Sequence, residues 1–325
     1  MEHMNRKKML IIGGTGTLGE SMVEKFSGDY NIYIVSRDET KQSIMKIKYP
    51  DVNFMIGDMK DYEVIKMSII HVNPHIIIIN GALKYIDICE NNVKECLETN
   101  VIGVQNVIIA TTEKSLINLQ TVIFISTDKS CYPVSVYGFS KAISERILAE
   151  ASLKCQKSIK YVSVRLGNLL NSTGSLIPKF IEIGTSETKK EFQVTNAEMT
   201  RFFMTLEQCT SLIQTVINHS ESGEVWIPAM SAYRILDIAQ FFSKKYNKPI
   251  KITGLRPGEK IHEILVNEVE MVRTQNKVIK GQQFYIIKSC YQNYHYTDLC
   301  QPYSSQNITD FKPLKLIILN LLTNQ

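Results

Sequence analysis

Three short segments carry residue types that can do acid–base chemistry together. Tyr137 and Lys141 form a Tyr-x-x-x-Lys pattern. On a helix, positions i and i+4 share one face, so the phenol and the ammonium are neighbours. A Lys charge beside a phenol favours tyrosinate and lowers a pKa that is ordinarily about 10. Such a tyrosine can take a proton from a sugar hydroxyl while hydride leaves for a nicotinamide. Upstream, a run of β-formers ends in Ser126-Thr127-Asp128-Lys129. A simple dehydrogenation needs only Thr127 (or a serine) with Tyr137 and Lys141. Asp128 and Lys129 add a second acid and amine at the end of a parallel strand, where such sheets bind ligands. Adjacent groups of this kind titrate as a coupled pair. Their types do not say which is the acid and which the base.

The third segment is Gly13-Gly14-Thr15-Gly16-Thr17-Leu18-Gly19, between a strand and a helix. Gly13, Gly16 and Gly19 are spaced three apart. This pattern allows a tight turn, close approach of backbone to a pyrophosphate, and close packing of helix on strand. The helix N-terminus offers N–H groups and a positive dipole end to phosphates. The following strand ends in Ser36-Arg37-Asp38. Arg37 can pair with a 2′-phosphate, which favours NADP. Asp38 could reach a ribose hydroxyl, which leaves NAD as the lesser alternative. Gly57-Asp58 closes the third strand and suits either an adenine edge or a helix cap.

These groups need strands and helices in alternation to hold them. Residues 8–12, 31–36, 52–56, 76–79, 121–126 and 159–166 read as strands. Residues 18–26, 39–48, 61–70, 89–112 and 137–151 read as helices. The continuous run Ile76 to Ile79 marks a strand buried on both faces. Strands separated by such helices imply βαβ units and a parallel sheet. The predicted fold is α/β, a Rossmann-type doubly wound sheet over residues 1–170 with a smaller C-terminal lobe. Residues 205–230 are expected to return to the core, and 171–325 to form mainly a substrate-binding lobe and tail. Helices are predicted over 206–218 and 235–246, and short strands over 224–227 and 250–253. The last fifty residues have weak periodicity, and their place is open.

Composition narrows the class. The 325 residues are 44% hydrophobic and 21% charged, an ordinary balance for a globular chain. Lys and Arg total 37 against 32 Asp and Glu, a net charge of +5. That mild excess is unlike the clustered basic face of a nucleic-acid binder and suits anionic small ligands. Arg is scarce, with eight against 29 Lys. Arg37, Arg165, Arg201 and Arg256 all fall in motif segments, and at least three of them are expected to meet phosphates. The seven Cys contain no Cys-x-x-Cys pair, and no His completes a zinc site, so no metal is expected. Reduced thiols in a cytoplasmic protein are expected. No apolar run has the roughly 18–20 residues of a membrane span, and no signal peptide is expected.

The motifs together resemble the extended short-chain dehydrogenase/reductase superfamily. Within it the chain resembles the inverting UDP-N-acetylglucosamine 4,6-dehydratases, which also epimerise C5, of capsule and flagellin-sugar pathways. Beyond the segments above, the resemblance is carried by Gly81-Ala82-Leu83-Lys84, Thr99-Asn100, Val164 to Asn168, Met199 to Phe202, Arg256 to Glu263 and Tyr303 to Asn307. The Thr-Asp-Lys triplet is the most specific; dehydratases that retain C5 typically carry Thr-Asp-Glu. The sequence departs from the family at Tyr85-Ile86-Asp87, at Leu166, and at Asn171 to Ser175, where an Arg is lost.

The resemblance implies a mechanism and a site. Tyr137, assisted by Lys141 and Thr127, takes the C4 hydroxyl proton as hydride passes to NADP. The 4-ketone acidifies C5–H, and Asp128 and Lys129 remove that proton and protonate the departing C6 hydroxyl. Hydride returns to C6, and C5 is reprotonated from the opposite face. Ala82, Lys84, Asn100, Tyr137 and Lys141 are expected to join the glycine loop, Ser36, Arg37 and Asp58 around the cofactor. Lys84, Asn168, Arg201, Arg256 and Glu259 are expected to hold a UDP-N-acetylhexosamine. A homo-oligomer is expected, with no nucleic-acid or membrane partner. Two alternatives stand beside this one: a UDP-sugar C4-epimerase or keto-sugar reductase, and a catalytically silent nucleotide-binding protein.

Overall fold

Apolar strands and amphipathic helices alternate through the first half of the computed structural model, which describes residues 6–154, 158–289 and 298–323. The order is β1 (Lys7–Ile12), α1 (Thr17–Phe26), β2 (Tyr30–Ser36), α2 (Glu39–Lys48), β3 (Asn53–Ile56), α3 (Tyr62–Val72) and β4 (Ile76–Ile79). Next come α4 (Ile86–Asn91), α5 (Val93–Leu97), α6 (Gly103–Ala110), β5 (Thr121–Thr127), α7 (Val136–Lys154) and β6 (Lys160–Leu166). The single helix predicted over 89–112 is instead interrupted at Asn92, whose φ of −137° and ψ of 57° are not helical. It also carries a π-helical turn over Glu98–Ile102.

The second half runs β7 (Asn168–Leu169), α8 (Leu176–Thr185), β8 (Phe192–Val194), β9 (Thr200–Met204), α9 (Leu206–His219) and β10 (Val225–Pro228). It continues with β11 (Ser231–Arg234), α10 (Ile235–Tyr246), β12 (Ile250–Ile252), β13 (Ile264–Val266) and α11 (Glu268–Met271). The last elements are β14 (Thr274–Ile279), β15 (Gln282–Ile287), β16 (Tyr303–Ser304) and α12 (Lys312–Thr323).

The main sheet is nine-stranded, in the order β14-β15-β10-β6-β5-β4-β1-β2-β3. From β10 to β3 every pairing is parallel; β15 and β14 add on antiparallel. The hairpin between β14 and β15 turns on Lys280 and Gly281, both at positive φ (51° and 77°), as a tight two-residue turn requires. This hairpin lies beyond the predicted return at 205–230, so residues 274–287 belong to the main sheet rather than to the lobe.

Period-two alternation gives the sheet two buried faces. Met9 and Ile11 of β1 pack with Met22 and Phe26 of α1 and with Leu212 and Val216 of α9. Leu10 and Ile12 point the other way, into Ile65 and Ile69 of α3 and Val104 and Val107 of α6. The lobe has its own core. Phe180 of α8, Phe192 of β8 and Phe242 of α10 meet there with Leu314 and Ile318 of α12. Phe180 lies edge-on to Phe192 and Phe242, with centroids 5.3 and 5.6 Å apart. The tail therefore folds back on the lobe: β16 pairs with β13, and α12 closes this core.

Truncating the central ring should test how far the lobe depends on it. Phe242→Ala should cost about 3–5 kcal/mol of stability, as buried Phe truncations do. Urea unfolding followed by circular dichroism reads that loss.

Candidate active site

A cleft of about 900 Å³ opens along the C-terminal edge of the parallel strands, lined by the glycine loop and by residues following β2, β3, β4, β5 and β6. The loop can adopt its path only as glycine in two places. Gly13 has φ +80°, and a Cβ there would lie 2.4 Å from the Gly81 Cα. A Cβ on Gly19 would lie 2.0 Å from the Gly14 carbonyl oxygen. Gly16 begins α1 with no side-chain cap and with open space around it. The first N–H groups of α1 are thus left for an anion. Thr15, Thr17 and Leu18 line the same cradle.

Ser36, Arg37 and Asp58 also line the cleft. Arg37 is half-exposed and lies 3.5 Å from Asp58. Asp38 is turned to structure: it caps α2 by accepting a hydrogen bond from the Lys41 N–H at 3.0 Å. That backbone bond, with the Lys41 charge, holds its carboxyl below the ordinary range. Ala82, Lys84 and Asn168 lie on the wall. Lys84 Nζ donates to the Thr173 carbonyl at 3.2 Å, and the Thr17 and Thr173 hydroxyls meet at 3.0 Å across the mouth.

The acid–base groups converge at the end of β5. Thr127 Oγ1 and Lys129 Nζ both donate to Asp128 Oδ1, at 2.8 and 2.9 Å. Lys129, Thr127 and Tyr137 line the cleft, whereas Asp128 sits behind them, fully buried. Asp128 Oδ2 has no hydrogen-bond partner among the described residues. Burial pushes the Tyr137 phenol up to about 12, against the opposing Lys129 charge and Thr127 hydroxyl. The phenol is thus raised rather than lowered as the Tyr-x-x-x-Lys spacing predicts, because burial outweighs the one ammonium that opposes it, Lys129 rather than Lys141. Lys141 Nζ donates instead to the Ile125 carbonyl at 2.5 Å and lies 4.0 Å from the Phe124 ring centroid. Burial brings its pKa down to about 7, despite the charges of Glu145 and Cys96.

Six predicted site residues do not line the cleft: Gly19, packed under the loop, Asp128, Asn100, Arg201, Arg256 and Glu259. Asn100 is buried in the π turn, where Oδ1 accepts from the Leu83 N–H and Nδ2 donates to the Leu83 carbonyl and to Ser140 Oγ. It thus fastens the loop after β4 to the helix that carries Tyr137. Arg201 is buried and donates to the Thr200, Ile261 and Lys260 carbonyls. The exposed Arg256 pairs with the largely buried Glu259 carboxylate, with Arg256 Nε 3.0 Å from Glu259 Oε1. The arginines expected to meet phosphates are thus mostly engaged in structure, because unpaired carbonyls and carboxylates already claim their donors.

Arg165 shows this most fully. It bonds Glu145 of α7 through Nε and Nη2, Glu270 of α11 through Nη1 and Nη2, and the Leu265 carbonyl through Nη1. Glu145 Oε1 also accepts from Ser126 Oγ at 2.5 Å and Ser130 Oγ at 2.7 Å. These two serines bracket the Thr127-Asp128-Lys129 segment. The sequence reading missed Glu145, although Tyr137, Lys141 and Glu145 follow one another at i, i+4 and i+8 on a single face of α7. Glu270 had no local signal, since it arrives from over a hundred residues away. The five described cysteines are free thiols; Cys155 and Cys290 lie outside the described residues. Among the described residues no cluster of ligands could hold a metal ion, and no helix is long and apolar enough to cross a membrane.

A nine-stranded Rossmann-type sheet, with a glycine loop at its first turn and Tyr137 and Lys141 on a helix facing the cleft, defines a short-chain dehydrogenase/reductase-like protein. The chain belongs to the polysaccharide biosynthesis protein family, whose model matches residues 9–286. An inverting UDP-N-acetylglucosamine 4,6-dehydratase of Campylobacter jejuni is 35% identical over 269 residues, covering 81% of this chain and 78% of its own. A UDP-glucose 4-epimerase of Rickettsia rickettsii is 34% identical over 281 residues, covering 83% and 80%. Among solved structures, Pen from Bacillus thuringiensis superposes with a TM-score of 0.86 at 29% identity, covering 97% of both chains.

The Arg165 cluster predicts a pH signature. Burial raises the Glu270 carboxyl, but the Arg165 charge and hydrogen bonds outweigh it and leave the pKa lowered from 4.5. A carboxyl with a depressed folded pKa contributes stability above its unfolded pKa and loses it as pH falls through the folded value. Arg165→Met should leave two buried carboxylates uncompensated and cost about 3–5 kcal/mol at pH 7. The gap between variant and wild type should narrow as pH falls toward 4, where the Glu270 carboxyl begins to protonate; urea unfolding across that range measures it.

Proposed function

We propose that the chain is an inverting UDP-N-acetylglucosamine 4,6-dehydratase that also epimerises C5, with NADP as its resident cofactor. The product is UDP-2-acetamido-2,6-dideoxy-L-arabino-4-hexulose. The observation that carries this reading is the hydrogen-bonded Thr127-Asp128-Lys129 cluster, whose Thr127 and Lys129 face the same cleft as Tyr137. The name of the Campylobacter jejuni relative agrees with it.

The cradle fits a dinucleotide. The uncapped start of α1 and the glycines would hold the pyrophosphate. Arg37 would pair with a 2′-phosphate; with Asp38 committed to capping α2, NADP is favoured over NAD. Ser36, Asp58, Ala82 and Lys84 complete the walls, and Asn100 acts by holding the loop behind them. The nicotinamide, when bound, supplies a hydride acceptor and donor.

The chain's own groups move the protons. Tyr137 takes the C4 hydroxyl proton, with the Lys129 charge and Thr127 hydroxyl opposing the burial that raises the phenol. Lys141, buried beside the Ile125 carbonyl, holds the helix and strand in register at that point. Once C4 is a ketone, the C5 proton is acidic. Lys129 lines the cleft and Asp128 lies behind it, so Lys129 meets the sugar and Asp128 shares its proton. The same pair serves the departing C6 hydroxyl. Of the predicted sugar-nucleotide contacts, Lys84 and Asn168 lie on the cleft wall, whereas Arg201, Arg256 and Glu259 lie outside it.

The name of the Rickettsia relative supports a second reading, a C4-epimerase, which needs Tyr137 but not Asp128 and Lys129. A homo-oligomer is supported by exposed apolar side chains on adjacent helices: Ile109 of α6 and Phe139, Ile143 and Leu153 of α7.

Incubation with UDP-N-acetylglucosamine in deuterated water, followed by NMR, separates the readings. A 6-deoxy-4-keto product with deuterium at C5 is expected. A C4 epimer without deuterium would overturn the dehydratase. Tyr137→Phe and Lys129→Ala should each lower kcat by about 10²–10⁴, the usual worth of a general acid or base. Separately, Arg37→Ala should weaken NADP binding about tenfold, the worth of a charge-assisted hydrogen bond, and leave NAD binding unchanged; fluorescence titration of each cofactor checks this.

A further inference from the structure

One carboxylate beside the cleft has no part in the chemistry above. Glu263 is 2% exposed, and three cations converge on it. Lys129 Nζ lies 3.6 Å and Arg201 Nε 3.8 Å from its Oε1, and Lys260 Nζ lies 3.1 Å from its Oε2. Oε2 nonetheless makes no aligned hydrogen bond among the described residues. Two of the cations have firm donor partners elsewhere. Arg201 donates to three backbone carbonyls, and Lys260 Nζ donates to the Cys131 carbonyl at 2.8 Å. Lys129 is bound on its other side by Asp128 at 2.9 Å. Its ammonium is therefore held between two buried carboxylates, one from its own turn and one from the C-terminal half of the chain.

The backbone at Glu263 is fixed from the tail. The Glu263 N–H donates to Ser305 Oγ at 2.9 Å, and the Ser305 N–H donates to the Glu263 carbonyl at 2.8 Å. The Ser305 hydroxyl also meets Thr200 Oγ1 at 2.8 Å. Ser305 is fully buried, and it follows β16, the strand that pairs with β13. The carboxylate is thus delivered by a rigid loop rather than by a free surface side chain.

We propose that Glu263 is a positioning residue for the acid–base pair: its buried carboxylate shares the Lys129 ammonium with Asp128, fixing both the place and the charge state of that amine. This rests on the proposed use of Lys129 in catalysis. The groups that face Lys129 are Asp128 on its own turn, Tyr137 on α7, Arg201 on β9, and Glu263 with Lys260 on the segment before β13; His262 stands next to them, bonded to Thr200. Burial works against the ammonium, Asp128 and Glu263 work for it, Arg201 works against it, and the balance leaves Lys129 raised. Removing the Glu263 charge must lower it. If Lys129 acts as an ammonium acid, the alkaline limb of the rate profile moves to lower pH. If it acts as an amine base, the acidic limb moves to lower pH. The direction is the same for either role.

The experiment is a lysine-selective NMR titration of the full-length protein, with the Lys129 signal assigned by its loss in Lys129→Met. Glu263→Gln keeps the shape and should lower the Lys129 pKa by about one unit, the usual effect of one nearby opposite charge. Glu263→Asp keeps the charge at a longer reach and should lower it less. The matching limb of the pH–kcat profile should move by the same amount. The proposal is overturned if Gln leaves the Lys129 titration unchanged, or if Asp and Gln lower it equally. Should the Gln variant not fold, Glu263→Asp carries the test, and an unshifted Lys129 signal overturns the proposal. Undiminished turnover in Lys129→Ala would refute the catalytic reading of Lys129 but would leave this titration informative about Glu263.

Discussion

The Arg165 guanidinium holds the site together. Its five donors are shared among two carboxylates and one carbonyl, from segments 20 and about 100 residues away. Desolvating three charges is costly, and a buried ion cluster is weak evidence of added stability. What it supplies is placement. β6, α7 and α11 can meet at only one register if every oxygen of Glu145 and Glu270 is to find a donor. Glu145 then passes that register on, through Ser126 and Ser130, to the turn that presents Thr127, Asp128 and Lys129.

The same arrangement divides the polar groups into those facing the cleft and those supporting them from behind. Asn100 fastens the loop after β4 to α7, and the π turn places it there, as such turns often do near functional sites. Asp128 is fully buried, yet its partners Thr127 and Lys129 reach the cleft. A buried carboxylate with one oxygen bonded twice and the other unbonded is a strained electrostatic arrangement, tolerable where a proton is to be exchanged.

Much of this was legible in the sequence. The glycine spacing, the strand–helix alternation and the Thr-Asp-Lys and Tyr-x-x-x-Lys patterns are local, and local periodicity survives folding. The hairpin Thr274–Ile287 was missed because its short strands carry no strong alternation and gain their place only by pairing with β10. The helix over 89–112 was predicted whole because periodicity cannot show a non-helical Asn92 or a π turn. The arginines were read as phosphate ligands because residue type reveals a donor fork but not its partner. Partners such as Glu270 for Arg165, or the Lys260 and Ile261 carbonyls for Arg201, come from distant segments.

The two lysines of the site make the same point in electrostatic terms. The i, i+4 spacing brings Lys141 to the face of Tyr137, but sharing a face does not fix where an ammonium points. Lys141 turns to a carbonyl and an aromatic ring, and burial without a full counter-charge brings it down to about 7. Lys129 is also removed from bulk water, but it lies between carboxylates and is raised. Two buried amines of one site can therefore be shifted in opposite directions by their surroundings. Which of them acts on the phenol is decided by the carboxylates around it, and one of those arrives only with the C-terminal half of the chain. The charge on Lys129 thus depends on a segment that the dinucleotide fold alone does not require.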